Sequence, residues 1–160
     1  MNKRHIHARL SQALALSQLS SCTRRKVAAL IISPDTHSVI SDGYNGPPRK
    51  GPALCGGDHC ERVRLQITSG TQNDIGCYHA EQNAILNAAR QGSSTNGAIL
   101  ICTTSPCLSC ARAIYHAGIK EIYVPKGSYT TKGIEYLAQY NVQTFMIDMT
   151  KALDHPKTWP

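Results

Sequence analysis

The residues best able to do chemistry fall in two short segments. His79-Ala80-Glu81 precedes one alanine-rich helical pattern, and Pro106-Cys107-Leu108-Ser109-Cys110 precedes another. Cys107 and Cys110 are three positions apart, so one helical turn aims both sulfurs the same way. Pro106 suits a helix start, where its missing N–H would have had no partner. A helix N-terminus favours negative charge and lowers thiol pKa values, which makes both sulfurs better metal ligands. One imidazole and two thiolates supply three zinc ligands and leave a fourth position for water. That is the pattern of a catalytic zinc site rather than a closed structural one. Such a metal acidifies its water, and Glu81, two residues past the histidine, is placed to take that proton and pass it on. A CxxC by itself also fits a redox pair or half of a structural site. Its conjunction with HAE and Pro106 favours the catalytic reading.

This chemistry requires two helix starts with a strand between them, and the patterns supply both. Residues 80–90 read as a helix, 98–102 as a buried strand, and 108–117 as a helix ended by Gly118. Upstream, Ile6, Leu10, Ala13, Leu14 and Leu19 recur at near-helical spacing and predict an opening helix of roughly four turns. A buried strand is expected at 27–32, a turn at Ser33-Pro34-Asp35 and a second strand around 38–41. Gly43-Tyr44-Asn45-Gly46-Pro47-Pro48 then stops regular structure. A polar stretch runs over 44–76, with a short helix at 61–67; loops this long in compact domains are usually functional or disordered. A strand at 121–124, a helix at 132–139 and a last strand at 142–146 follow, with a weakly ordered tail over 150–160. Two early strands and then alternating strands and helices predict an α/β fold, a mixed sheet with helices on both faces.

The chain has 160 residues, enough for one domain spanning 1–160. With 41% hydrophobic and 17% charged residues it is neither a disordered tail nor a charged coiled coil. Its apolar runs fall far short of the ~18 residues of a membrane span. Ser11, Gln12, Ser17 and Gln18 interrupt any leader-like core, so a cytoplasmic setting is expected. Seventeen Lys and Arg against ten Asp and Glu give a net charge of +7, which favours an anionic partner: a nucleotide, a nucleic acid or a phosphorylated metabolite. The basic residues gather as Arg24-Arg25-Lys26, Arg49-Lys50 and Arg62 with Arg64 rather than in one stripe. Seven cysteines in such a setting read first as metal ligands or catalytic groups.

The segments 79–85 and 105–110 resemble the cytidine and deoxycytidylate deaminase superfamily, and Gly43-Tyr44-Asn45-Gly46-Pro47 narrows the resemblance to deoxycytidylate (dCMP) deaminases. Lys26-Val27-Ala28-Ala29 is similar to that family's first-strand motif, with Ala28 where glycine is usual. The resemblance covers roughly 21–145. It implies a three-layer α/β/α sandwich around a five-stranded mixed sheet, commonly a homohexamer, and a zinc-dependent hydrolysis at C4 of cytosine. Glu81 is then the proton shuttle and must not ligate the metal. The resemblance also implies that Asn45 bonds the sugar 3′-hydroxyl and that the backbone N–H of Ala80 meets the base carbonyl. Ser105 and Tyr129 complete the expected substrate contacts. Lys26, with Arg24, is the phosphate candidate. The family uses dCTP and dTTP as effectors, in a pocket formed by the GYNG loop and an aromatic-plus-arginine pair. Tyr44, Gly46 and Arg90 match that pocket. Asn87 replaces the aromatic residue, a departure that bears on whether the switch operates.

Five cysteines remain. Cys102 ends an apolar strand and reads as a buried small hydrophobe. Cys22, Cys55, Cys60 and Cys77 lie where some phage members of the family carry a second, structural zinc. Such an ion would fix the long loop, although thiols in a loop without metal are the competing reading, and His59 could replace one cysteine. Two rival functions stand beside deamination of a nucleotide. One is a deaminase of another substrate, such as dCTP, a free nucleoside or adenosine in tRNA. The segment GYNGP and the absence of a basic, aromatic strip argue against a nucleic acid. The other is a zinc-stabilised binding module, which would have no use for a glutamate beside an open metal position.

Overall fold

Successive residues of a strand face opposite sides of its sheet, and here both sides are apolar. The computed structural model describes residues 1–48, 55–56, 59–68, 71, 75–127 and 130–148, at 55, 56 and 59 through the backbone alone. In chain order the helices are α1 (Lys3–Ser17), α2 (Glu61–Arg64), α3 (Ala80–Arg90), α4 (Leu108–His116) and α5 (Lys132–Gln139). The strands are β1 (Ala28–Ile32), β2 (Val39–Tyr44), β3 (Cys55–Gly56), β4 (His59–Cys60), β5 (Ile99–Cys102), β6 (Glu121–Pro125) and β7 (Gln143–Ile147). Five of them form a sheet in the order β2-β1-β5-β6-β7. β1 is antiparallel to both neighbours, while β5, β6 and β7 run parallel, so the sheet is mixed as expected.

The alternation sorts the core into two layers. Ala29 and Ile31 of β1, Leu100 and Cys102 of β5, and Ile122 and Val124 of β6 pack with Ala80 and Ala84 of α3, Ala111 and Ile114 of α4, and Leu137 of α5. The intervening residues Leu30, Ile32, Ile99, Ile101 and Tyr123 face the other way and meet Leu10 and Ala13 of α1. Three helices on one face and one on the other make the three-layer α/β/α sandwich. The register brings Ala28 opposite Tyr44 and Ala29 opposite Cys102. The start of β1 and the C-terminal ends of β2, β5 and β6 therefore meet at one edge of the sheet, where open α/β sheets present their sites.

Some expectations shift. The opening helix stops at Ser17 instead of carrying on to Leu19, which is 64% exposed. There Ser17 Oγ donates to the Leu14 carbonyl, and Leu19 and Ser20 make tighter i→i−3 bonds, so the chain leaves the α-helical ladder. The second strand runs on to Tyr44, and the short helix is one turn, Glu61–Arg64. The stretch expected as loop and helix also holds the β3–β4 hairpin, with Cys55 opposite Cys60. Its ends are tied by Gly46 and Tyr78, which exchange two backbone hydrogen bonds of 3.2 and 2.9 Å. The expected tail over 150–160 and Tyr129 lie outside the described residues. Among the described residues no helix is long and apolar enough to cross a membrane.

Candidate active site and metal centre

Both chemical segments sit at helix N-termini. His79, extended at φ −76° and ψ 156°, caps α3, and Cys107, at φ −72° and ψ 170°, caps α4. The backbone N–H of His79 donates to Gln82 Oε1 at 3.1 Å, which holds the start of α3. Its ring Nδ1 stands 3.5 Å from Cys107 Sγ and 3.3 Å from Cys110 Sγ, and the three ligand atoms lie within 4.8 Å of one another. A tetrahedral zinc with bonds of about 2.3 Å to sulfur and about 2.05 Å to nitrogen separates such atoms by about 3.6–3.8 Å. The side chains therefore fit the ion. Glu81 is not part of the ligand group, and it is only 3% exposed.

The charges around this cluster follow from burial and mutual contact. Cys107 is drawn down to about 4, first by the hydrogen bond from Cys110 and then by His79. Cys110 is pushed up, first because its proton is held in that same bond and then by burial. Without a cation the pair thus sheds one proton easily and keeps the other. The bond to Cys107 raises the imidazole of His79 against the opposing effect of burial. Burial raises the Glu81 carboxyl, with its own backbone and His79 pulling back. A carboxyl held above its ordinary range is suited to carry a proton in both directions.

Two close backbone approaches position these helices. A Cβ on Gly43 would lie 2.4 Å from the Ala84 nitrogen and 2.5 Å from the Ala80 carbonyl oxygen, so β2 and the first turn of α3 touch through backbone alone. Ala80, Ala84 and Ala88, all fully buried, complete that seam. Ser41 Oγ donates to the Ala84 carbonyl at 2.8 Å, Asn83 Nδ2 to the Tyr44 carbonyl at 2.8 Å, and Asn87 Nδ2 to the Asp42 carbonyl at 2.7 Å. On α5, a Cβ on Gly133 would stand 2.1 Å from the Pro106 carbonyl oxygen, pressing on the turn that carries Cys107. The spacing of apolar residues does not announce these contacts. The one available signal for the first is an alanine every fourth position facing a glycine-containing strand end.

The other expected residues fall in several places. Asn45, 9% exposed, accepts from the Val27 N–H at 2.8 Å and donates to the Arg25 carbonyl at 2.9 Å, so both polar atoms of its side chain hold the segment before β1. One amide hydrogen and one lone pair are left for a sugar hydroxyl. Ala80 is the first residue of α3, where an N–H has no partner within the helix. Ser105 is buried and its Oγ accepts from the Thr130 N–H at 3.1 Å, tying the loop after β6 to the loop before α4. Lys26 is exposed, its Nζ 3.4 Å from the Gln18 carbonyl. Arg90 lines a cleft of about 440 Å³ with Asp42 and Asn87, and neither Tyr44 nor Gly46 lines it. Of the four cysteines considered for a second metal, Cys60 is buried and Cys22 and Cys77 are half-buried. These three do not close into a ligand cluster, and the side chains of Cys55 and His59 lie outside the described residues. Arg62, whose guanidinium donates to the Thr71 carbonyl at 2.7 Å, is near enough to His79 to act on its charge.

Comparison with known proteins agrees with this geometry. The family described as the cytidine and deoxycytidylate deaminase zinc-binding region matches residues 2–126. Deoxycytidylate deaminase of Schizosaccharomyces pombe is 38% identical over 114 residues, 71% of this chain and 34% of that protein. Deoxycytidylate deaminase of Enterobacteria phage T4 is 35% identical over 146 residues, covering 71% of this chain and 73% of its own length. This chain therefore spans about a third of the fission yeast relative and nearly three quarters of the phage one. The crystal structure of the dCMP deaminase of cyanophage S-TIM5, in complex with dCMP and dUMP, superposes with a TM-score of 0.76 at 32% identity, over 92% of this chain and 99% of that one.

Proposed function

The chain belongs to the cytidine and deoxycytidylate deaminase family, and we propose that it hydrolyses dCMP to dUMP and ammonia. The observation that carries this reading is a three-ligand cluster with a buried carboxyl beside it and outside it: His79, Cys107 and Cys110 gathered within 4.8 Å, and Glu81 separate from them. The relatives named deoxycytidylate deaminase and the S-TIM5 complex with dCMP and dUMP support the choice of substrate.

His79, Cys107 and Cys110 would hold zinc; bound there, it supplies the acidity that makes water a nucleophile near neutral pH. As the attacking water's oxygen bonds to C4, Glu81 would take that water's proton and give it to N3 of the cytosine ring. It then carries the second proton to the amino nitrogen, which leaves as ammonia, so one water is consumed for each dUMP formed. The Ala80 N–H donates to the base carbonyl, and the remaining hydrogen of the Asn45 amide donates to the sugar 3′-hydroxyl. Ammonia release from dCMP, dCTP, deoxycytidine, CMP and tRNA tests the reading. Turnover is expected on dCMP above all, and a protein that releases ammonia only from tRNA, or from none of these, refutes it.

Three finer parts belong to the same proposal. A second, structural zinc would take ligands from Cys22, Cys55, Cys60 and Cys77 or from His59, and metal analysis of intact protein should then give about two zinc per chain instead of one. An effector nucleotide would occupy the cleft at Arg90, where Asn87 already serves as a bond to β2. Its test is the response of dCMP turnover to dCTP and dTTP. A homohexamer, implied by the family resemblance, and a cytoplasmic setting complete the reading; exposed apolar residues such as Leu19, Tyr78 and Leu86 offer surface for association, and light scattering checks the subunit number.

A further inference from the structure

Ser20 stands three residues past the end of α1 and is only 3% exposed. Its Oγ donates to the Asn45 carbonyl at 2.7 Å and accepts from the Cys22 N–H at 3.2 Å. Its own N–H is held by the Ser17 carbonyl at 3.0 Å, so the end of α1 delivers the hydroxyl. Every other polar group of Asn45 is also engaged. The backbone N–H donates to the Val27 carbonyl at 3.0 Å, Oδ1 accepts from the Val27 N–H at 2.8 Å, and Nδ2 donates to the Arg25 carbonyl at 2.9 Å. Those three bonds come from the segment 25–27. The fourth comes from Ser20 and fixes the peptide group between Asn45 and Gly46. The N–H of that peptide group belongs to Gly46 and donates to the Tyr78 carbonyl at 3.2 Å. One peptide unit is thus gripped at its oxygen by Ser20 and at its nitrogen by Tyr78, the residue before His79. Gly46 offers this unit little resistance to turning, since it carries no side chain and a Cβ there would meet nothing within 4 Å. Without the Ser20 hydroxyl the Asn45 carbonyl becomes a buried acceptor with no partner, and rotation of the peptide relieves it.

We propose that Ser20 is a positioning residue for the substrate: by clamping the Asn45–Gly46 peptide, it aims the one free amide hydrogen of Asn45 at the sugar 3′-hydroxyl and keeps it in register with His79. The inference rests on the deaminase reading, with Asn45 as the sugar contact. It adds that the α1 layer, packed on the face of the sheet away from α3 and α4, takes part in reading the sugar. Apolar spacing gives Ser20 no role, and only the folded chain brings it to Asn45, 25 residues on.

The test compares dCMP with 2′,3′-dideoxycytidine 5′-monophosphate, which lacks the 3′-hydroxyl. In the wild type, loss of that hydroxyl lowers kcat/KM about 10-fold. In Ser20→Ala the KM for dCMP rises by a similar factor with kcat within about two-fold. The dideoxy substrate is turned over as before, so the preference falls to near unity. Ser20→Cys, which keeps a weaker donor of similar size, gives an intermediate preference. Ser17→Ala is the control: Ser17 is as buried at the same helix end, but its Oγ donates to the Leu14 carbonyl within α1, and any loss there falls on both substrates alike. A preference that survives in Ser20→Ala, or that falls as far in Ser17→Ala, overturns the inference and leaves the deaminase reading standing. A wild type that deaminates both nucleotides equally well does the same. A wild type inert toward both overturns the deaminase reading and this inference with it.

Discussion

Adding a single methyl group at Gly43 should damage both the fold and the catalytic rate. The new Cβ would meet three backbone atoms of α3, at 2.4 Å from Ala84 N, 2.5 Å from Ala80 O and 2.8 Å from Asn83 C. No side chain can turn aside to make room, so the first turn of α3 must retreat by about 1 Å to restore ordinary contact. A retreat of that size would stretch the bonds from Ser41, Asn83 and Asn87, now 2.7–2.8 Å, beyond hydrogen-bonding range. With overpacking at ~1–3 kcal/mol and each net bond near 1 kcal/mol, partial relaxation leaves about 3 kcal/mol of destabilisation in Gly43→Ala. For a chain of this size that lowers Tm by roughly 6–12 °C. The same movement carries His79 and Glu81 while Cys107 and Cys110 stay on α4, and misplacement of that order reduces kcat by about 100-fold. Gly46→Ala is the control, because a Cβ there meets nothing within 4 Å and the residue is not left-handed. Melting curves, zinc content and kcat are measured on both variants. If Gly43→Ala melts within about 2 °C of wild type and keeps kcat within two-fold, the backbone seam does not position the site.

Glu81→Gln should lose about 10²–10⁴-fold in turnover and retain its zinc, since the carboxyl moves protons and does not ligate. Because burial raises the Glu81 pKa, the metal-free native state holds a proton that the unfolded chain has already lost. Stability therefore falls as pH rises from about 4.5 through the folded value, and a buried charge remains as a penalty above it. Metal-free Glu81→Gln is expected to be more stable than wild type by roughly 1 kcal/mol at pH 7, with the gap closing toward pH 4; a gap independent of pH contradicts this. Zinc uptake at pH 7 should release about one to two protons, because Cys107, near 4, is already a thiolate while Cys110 and part of His79 remain protonated. Calorimetry in buffers of different ionisation enthalpy reads that number, and zero released protons would count against it. Gly133→Ala places a methyl 2.1 Å from the Pro106 carbonyl oxygen and should weaken zinc about 10–100-fold in competition with a chelator, even though alanine is the better helix former. Unchanged zinc affinity would show that α5 does not hold the turn at Cys107.

The clustering of His79, Cys107 and Cys110 is legible in sequence because three constraints coincide: two helix starts, a CxxC turn and a proline that suits a first turn. The layers were readable from the alternation of apolar residues in strands buried on both faces. What sequence did not carry was position across the sheet. β1 lies between β2 and β5 and antiparallel to both, an order that no local pattern encodes. Asn45 shows the same limit at one residue. The family resemblance assigns Asn45 to a sugar hydroxyl, and the structure shows its amide satisfying two backbone groups of a segment 18–20 residues away. The β3–β4 hairpin escaped because each of its strands has two residues, too few for period-two alternation to register.

That sheet order also explains how the His79, Cys107 and Cys110 cluster is held in place beside a long connection between Gly46 and Tyr78. His79, Glu81, Cys107 and Cys110 stand at the starts of α3 and α4, whose N-termini are set by backbone contact with β2 and with α5, and whose bodies are buried against β1, β5 and β6. The bridge between Gly46 and Tyr78 closes the connection upon itself one residue before His79. Arg62, within that connection, acts on the charge of His79, whereas a change at Gly43 or Gly133 reaches the two helix starts directly through backbone. The place of Glu81 beside the cluster is thus set by the buried seam of α3 against β2.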